Sequence, residues 1–434
     1  MTDPLGPFYG PPPPPPPPRR QGGRVLPMMI VAILAAAAGA GTVIGLRGNS
    51  GPHVASPGTP TPSASAPSGA GGAAGGTGAP GGTTAPSSAP GAAAIPVPPA
   101  GTPAGASGAL NAQAVADKVE PGTVNINAPE AYGQNLSEGT GIILTSTGLV
   151  LTNNHVIEGA TSPTATLVNS GKTYKATILG YNKADDVALL QLVGASGLTP
   201  VEVGNSDGVK VGMHVLGLGN AQGQGGQPTV APGRVTALNQ SINPQDASTG
   251  SSENLHGTIQ TSAQIQPGDS GGPLANAAGQ VIGMDVAASQ VQQLNGTQTT
   301  AGYAIPINSA LQIARQIAAG QASADVQIGL PPFMGVSIAD ASAGCPTSGF
   351  GASGGVASSG AVICGVYNNT PAETSGLTQG DVITSADGKA VGTAKSLIAI
   401  TAGLRPGQSV SLRYTDGNGV SRSLTLTLVG GPAK

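Results

Sequence analysis

The sequence predicts a mainly-β fold in two domains, placed behind a single transmembrane helix and a disordered linker. Three observations predict it. Val25 to Leu46 is an uncharged, largely apolar stretch, and a long run of Gly, Pro, Ala, Ser and Thr follows it. From about residue 110 onward, short apolar segments alternate with Gly, Asn and Asp turns, the pattern of antiparallel strands. The 70 glycines and 39 prolines of the 434 residues crowd toward the front, so the folded part starts late.

Residues 1–24 contain an unbroken proline run from Pro11 to Pro18, which forms an extended, solvated polyproline II rod and reads as a disordered cytoplasmic tail. A helix over 25–46 spans roughly 33 Å, enough for a bilayer core of ~30 Å. Arg19, Arg20 and Arg24 precede it and Arg47 alone follows at once, so the positive-inside bias keeps the N-terminus in the cytoplasm. Everything after residue 47 is then extracytoplasmic. The small residues Ala35 to Ala38 also allow a cleaved signal peptide, which leads to the same compartment. Residues 47–108 bury too little apolar surface to offset their ordering entropy and read as a tether with an r.m.s. span of roughly 45 Å.

A net charge of −3, without a basic cluster beyond the membrane flank, excludes a nucleic-acid footprint. Cys345 and Cys364 both fall on the exported side, where thiols oxidise, so one disulfide is expected. Two cysteines are too few for a metal site, and no cofactor is expected.

In the first domain, residues 109–320, a helical segment covers 111–119 and two strands flank the turn Ser146-Thr147-Gly148 within 140–152. A hairpin follows, with strands at 164–168 and 173–179 around Asn169-Ser170-Gly171. Further strands are expected at 187–192, 213–218, 233–238, 258–262 and 280–286. Asn308 offers a cap for a closing helix with Leu311, Ile313, Ala314 and Ile317 on its apolar face and a stop at Gly320. After a linker at 321–331, the second domain (330–432) has strands at 333–338, 362–366 and 382–386. Helices are expected near 371–375 and 394–403, and a hairpin across Asp416 to Gly419.

Chemistry concentrates at Gly268-Asp269-Ser270-Gly271-Gly272-Pro273-Leu274. A serine hydroxyl is a weak nucleophile at neutral pH and needs a base, together with backbone N–H donors for the oxyanion it generates. Glycines beside the serine permit the tight turn that aims the N–H groups of Gly268 and Ser270. The heptapeptide also fits the nucleophile elbow of α/β-hydrolases, but those enzymes run serine, acid, histidine. All four histidines, His53, His155, His214 and His256, precede Ser270. A subtilisin-like order would need Asp117, which sits in the helical segment. The order histidine, aspartate, serine remains, as in chymotrypsin. His53 is in the tether and His214 and His256 sit in polar turns, whereas His155 ends an apolar run, so His155 is the expected base. Asp185 and Asp186 both precede the apolar strand at 187–190, and Asp186, the one adjoining it, is the expected orienting carboxylate.

The segments TGIILTSTGLVLTNNHVIEGA, ADDVALLQL, IQTSAQIQPGDSGGPL and GYAIPIN resemble, in order, the histidine strand, aspartate strand, nucleophile loop and closing strand of the HtrA family of PDZ-bearing serine proteases. The resemblance spans residues 112–430. It implies a chymotrypsin-like double six-stranded β-barrel followed by a PDZ domain, a small β-barrel with two helices. It also implies a triad of His155, Asp186 and Ser270, with the oxyanion hole on the backbone of Gly268, Asp269 and Ser270. The position before the serine is often Asn in the family and is Asp here. Residues 125–140 are too short for the long regulatory loop of some members and lack the aromatic cluster that packs certain trimers, which leaves a homo-oligomer such as a trimer open.

Gln264, six residues before the nucleophile, stands where trypsin-like enzymes carry an acid for Lys or Arg. With Ile265 on the pocket wall it suits small or medium aliphatic P1 residues. In the second domain, Phe333-Met334-Gly335-Val336 resembles the PDZ carboxylate-binding loop, whose N–H groups hold a C-terminal peptide added as a strand. The implied function is an envelope serine endopeptidase acting on unfolded or exposed protein segments, with C-terminal peptides at the PDZ domain. Two rivals share these folds: a proteolytically silent chaperone or scaffold, and a signalling protease dedicated to one membrane substrate.

Overall fold

The alternation of apolar and polar side chains is the signal that places the strands. In a computed structural model, which describes residues 95–100, 110–133, 135–242, 254–294, 297–345 and 359–434, it folds into two barrels and a smaller third sheet. The proline-rich tail, the expected transmembrane helix and most of the tether lie outside the described residues. Among the described residues no helix is long and apolar enough to cross a membrane.

Helix α1 (Ala112–Val119) starts at Asn111, whose side chain accepts from Ala114 N–H, and it buries Val115, Ala116 and Val119. Six strands follow: β1 (Thr123–Pro129), β2 (Leu136–Ile143), β3 (Leu149–Thr152), β4 (Thr164–Leu167), β5 (Thr173–Asn182) and β6 (Val187–Leu192), with the short helix α2 (Asn154–Ile157) between β3 and β4. They pair in the order β5-β4-β1-β2-β3-β6, and the β5–β6 pairing closes the ring. Strand β5 turns Tyr174, Ala176 and Ile178 inward and alternate residues outward. Strand β6 is buried on both faces: Ala188, Leu190 and Leu192 point into this barrel, while Val187 and Leu189 pack outside it.

The second barrel closes in the order β10-β11-β12-β9-β8-β7. Its strands are β7 (His214–Gly219), β8 (Thr229–Ile242), β9 (Leu255–Thr261), β10 (Pro273–Asn276), β11 (Val281–Leu294) and β12 (Thr297–Pro306). The closing helix α3 (Ile307–Ala318) and α1 share one apolar cluster with residues of both barrels, from Ile142 and Leu189 on one side to Leu216, Met284 and Tyr303 on the other. This shared core fixes the cleft between the barrels.

Three expectations change. The helix cap is Pro306 rather than Asn308, because the Asn308 side chain is engaged with Ser206 N–H and Asn205. The linker at 321–331 contributes a strand, β13 (Val326–Ile328), paired with β5. The end of the tether is docked: Ile95 is buried, and the carbonyls of Pro96 and Pro99 accept from Arg315 and Asn205.

The C-terminal domain comprises β14 (Pro332–Phe333), β15 (Val336–Asp340), β16 (Ala361–Val366), α4 (Pro371–Thr374), β17 (Val382–Ala386), β18 (Lys389–Ala390), α5 (Ala394–Ala402), β19 (Ser409–Thr415), β20 (Ser421–Thr427) and β21 (Val429–Gly430). The expected hairpin joins β19 to β20. Cys345 and Cys364 form the expected disulfide, with Cα atoms 5.3 Å apart. This domain meets the first barrel through aromatic rings. Tyr132, after β1, lies 5.2 Å from Phe333 and 4.8 Å from Tyr367 between ring centroids. Three of the ten aromatic side chains in the sequence are spent on this one contact.

Ring pairs of this kind contribute roughly 1 kcal/mol beyond area burial. Tyr132→Ala is expected to lower the melting temperature of the C-terminal domain by about 4–8 °C, read by calorimetry of the intact chain. An unchanged transition would mean that the rings do not hold the domain.

Candidate active site

Histidine 155 does not end a strand as expected. It occupies the second position of α2, one residue past the turn that leaves β3. Asp186 lies at the end of the loop before β6 and is fully buried, and its backbone takes the left-handed φ of 53° that side chains other than glycine rarely adopt. Three contacts hold that conformation. Asp186 Oδ2 sits 2.8 Å from His155 Nδ1, Oδ1 accepts from His155 N–H at 3.0 Å, and the Asp186 carbonyl accepts from Asn153 Nδ2 at 2.9 Å. The carboxylate is therefore gripped through both oxygens and its ring partner is fixed in orientation. Asp185 points elsewhere, to Asn182.

Ser270 lies in the loop between β9 and β10 of the other barrel and is 4% exposed. Its carbonyl accepts from Thr140 N–H on β2 at 2.9 Å. A side chain at Gly271 would overlap Thr140 O and Thr152 Oγ1, so the loop lies directly on the end of β3, which leads into α2. The nucleophile loop and the histidine helix thus meet across the cleft.

The orientation of the loop amides follows from where their partner carbonyls are tied. Pro267 O accepts from Gln222 N–H at 2.7 Å, and a planar trans peptide then directs Gly268 N–H the opposite way. Asp269 O accepts from Gly272 N–H at 2.9 Å, which orients Ser270 N–H by the same rule. Gly268 itself adopts φ +95°, and a Cβ there would overlap Asn220 O. The Asp269 N–H donates to Gln266 O at 2.9 Å, so of the three backbone positions expected to form an oxyanion hole this amide is already engaged.

Thr140, which sequence reasoning did not single out, links these parts. Its hydroxyl donates to Gly268 O at 2.7 Å and accepts from Asn220 N–H at 2.9 Å, while its carbonyl accepts from Thr152 Oγ1 at 2.7 Å. One threonine inside a strand gives no local sequence signal, because its partners include Gly268, 128 residues away.

The expected S1 residues separate. Gln264 is exposed, while Ile265 is buried against the open faces of Gly217 and Gly302. A carboxylate that the sequence did not flag lies beside it: Asp285 Oδ2 is 3.0 Å from where a Gly217 Cβ would sit. Asp285 is fully buried, and neither oxygen has a hydrogen-bond partner among the described residues. Burial, and secondarily the Asp269 charge, hold its carboxyl well above the usual carboxylate range. Burial also raises Asp269, opposed by hydrogen bonds from Gln266 N–H and Thr229 Oγ1.

In the third domain the expected carboxylate-binding residues run from the end of β14 at Phe333, through Met334 and Gly335, to the start of β15 at Val336. Met334 is buried, and Gly335 takes φ +96° because a side chain there would overlap Thr370. Beside them a cavity of about 350 Å³ runs between β15 and α5, lined by Phe333, Met334, Val336, Ile338, Leu397 and Thr401 among others. Among the described residues no cluster of ligands could hold a metal ion.

Two family models match this architecture: the trypsin-like peptidase domain over residues 139–284 and the PDZ domain over 332–428. Serine protease PepD of Mycobacterium tuberculosis is 31% identical over 359 residues, 77% of this chain and 71% of its own length. A probable periplasmic serine endoprotease DegP-like of Marinomonas sp. is 34% identical over 300 residues, covering 69% of this chain and 59% of the relative. Among solved structures, the HtrA-type protease AlgW with a decapeptide is 27% identical, covers 75% of this chain and all of its own, and has a TM-score of 0.40. Two trypsin-like barrels joined to a C-terminal PDZ domain define a class of serine protease, and this chain belongs to the HtrA-type members of it.

Two outcomes follow. Thr140→Val keeps the shape but leaves Gly268 O and Asn220 N–H unpaired, and should cost about 2 kcal/mol in urea denaturation. A change below a few tenths would mean that the hydroxyl is not shared as described. For Asp285, the folded carboxyl stays protonated where the unfolded one has already ionised. Its effect on stability is therefore absent below the unfolded value of 3.8 and grows unfavourable as pH rises, by about 1.4 kcal/mol per unit until Asp285 itself ionises. Asp285→Asn should melt higher than the parent at pH 7, with the gain vanishing toward pH 4; a gain independent of pH would exclude a protonated Asp285.

Proposed function

We propose that this chain is an extracytoplasmic serine endopeptidase that cleaves unfolded or exposed segments of proteins through a triad of Ser270, His155 and Asp186. The observation that carries this reading is the buried Asp186 bonded to His155 Nδ1, set beside the nucleophile loop. In the first step Ser270 Oγ attacks the scissile carbonyl while His155 takes its proton through the ring nitrogen not held by Asp186. The negative oxygen is met by Gly268 and Ser270 N–H, whose directions are already fixed and need no rearrangement as charge develops. His155 then gives its proton to the leaving amine, which leaves an acyl-enzyme on Ser270. A water molecule, deprotonated by His155, attacks the ester and releases the second product and the serine. Asp186 keeps the imidazole in one tautomer and stabilises its charged form; it does not itself take the proton.

Ile265, buried against the open faces of Gly217 and Gly302, supports small or medium aliphatic P1 residues. The apolar cavity beside Met334 and Gly335 supports capture of C-terminal peptides, whose carboxylate would meet the amides of the 333–336 loop. Three features support an envelope location behind an N-terminal anchor: the uncharged stretch at 25–46, the disulfide in the PDZ domain, and the word periplasmic in the Marinomonas relative's name.

The chain from residue 95 onward should degrade casein. Ser270→Ala is expected to abolish turnover, and Asp186→Asn to lower kcat by about 10⁴-fold while substrate binding persists. Casein loss by Ser270→Ala at the parent rate would overturn the mechanism, whereas a parent without activity that still suppresses casein aggregation would point to a silent chaperone.

A further inference from the structure

Helix α2 is only four residues long, and Asn153, at its N-cap position, makes no capping hydrogen bond with its side chain. So short a helix has little rigidity of its own, and His155 can be held only by what surrounds it. Part of that surrounding comes from the far end of the chain. After β21, Ala433 N–H donates to Ala160 O at 3.0 Å and Ala433 O accepts from Gly159 N–H at 2.9 Å, a strand-like exchange just past α2. At the other end of the helix, Asn154 Nδ2 donates to Lys434 O at 3.2 Å across 280 residues of sequence. Lys434 N–H in turn donates to the Tyr181 hydroxyl at 3.2 Å on β5. Ala433 is 2% exposed and belongs to the apolar core of the first barrel, together with Val156, Ile157 and Ala160.

The same segment is tied to the PDZ domain. Gly431 N–H donates to Pro331 O at 2.8 Å, and a Cβ on Gly431 would lie 2.6 Å from Phe333 Cβ, at the start of the carboxylate-binding loop. Pro432 and Lys434 also line the cavity between β15 and α5.

We propose that residues 431–434 form a strap that positions His155, gripping the α2 segment from Asn154 to Ala160 at both ends. This rests on the triad reading given above. Asn154, Tyr181 and Ala433 are positioning residues: they touch neither substrate nor the reacting atoms. Physical continuity alone does not establish coupling, so the test must perturb the strap from both sides.

In the full chain, Asn154→Ala and Tyr181→Phe loosen the strap from the barrel, and Gly431→Ala presses on it from Phe333. With an internally quenched peptide that the parent cleaves, each should lower kcat about tenfold and leave KM within about twofold, because misalignment acts on the chemical step. Hydrogen exchange at the Gly159 amide should accelerate in each. If all three act through one strap, the Asn154→Ala/Gly431→Ala double variant should be no slower than the worse single one. Should Gly431→Ala fail to fold, Tyr181→Phe, which removes a single hydroxyl, still decides the matter. Faster exchange at Gly159 with kcat at the parent value would overturn the proposal, as would a change confined to KM or fully additive losses. Ser270→Ala and Asp186→Asn run beside them separate the two readings: if these retain activity the triad fails, and if they lose it while the strap variants do not, only the strap fails.

Discussion

The arrangement of this site depends on Thr140. Its backbone N–H, hydroxyl and carbonyl join the nucleophile loop at two points, the loop at Asn220, and the strand that leads to His155. Each of those partners belongs to a different part of the chain, and Thr140 itself is fully buried. Buried polar networks of this kind are stabilising only when every member is paired, and here the threonine has no unused group. The glycines around it serve the same end. A side chain at Gly271 would overlap Thr140 O and Thr152 Oγ1, so the loop of one barrel approaches the strands of the other closely enough to share one threonine.

Against that satisfied network stand groups that are not satisfied. Asp186 keeps a left-handed backbone, a cost of order 1–3 kcal/mol that persists because three contacts over-determine it. The Asp285 carboxylate is buried without a hydrogen-bond partner among the described residues, beside Asp269, whose charge makes a second ionised carboxylate there unfavourable. Asn153 and Asn154 each leave a buried amide oxygen unpaired among the described residues while their nitrogens hold Asp186 and Lys434. Strain and desolvation at Asp186, Asp285, Asn153 and Asn154 are carried by the apolar cores around them.

The legible part of the sequence was the part in which chemistry constrains both residue type and order. The choice of His155 and Asp186 needed only the succession of histidine, aspartate and serine, the local apolar runs, and a family resemblance over the same segments; the structure brings these two side chains into contact. Counting back from Ser270 worked less well. The stretch between Ala263 and Asp269 curls on itself, with Ile265 N–H bonded to Ala263 O and Gln266 N–H to the Asp269 carboxylate, so a fixed spacing does not deliver Gln264 to a pocket floor. His155 proved helical because the apolar run stops at Thr152 and the next residues turn toward Asp186. Thr140, the docked Ile95 and the 431–434 segment were invisible for one shared reason. Their significance lies in contacts more than a hundred residues distant, and such contacts leave no periodicity to read.

Barrel and PDZ domain are joined by modest contacts: three tilted rings at Tyr132, Phe333 and Tyr367, one short strand at 326–328, and the hydrogen bonds of residues 431–434. None resembles the shared core that welds the two barrels through α1 and α3. The distinction has a physical consequence. A large apolar interface has one deep minimum, whereas a junction of a few hydrogen bonds and tilted rings has few buried contacts to lose, and local opening there costs less. That junction is also where α2 finds its support. The short helix is therefore supported from a junction that rests on few contacts, and the cavity beside Met334 and Gly335 is lined by residues of the same segment.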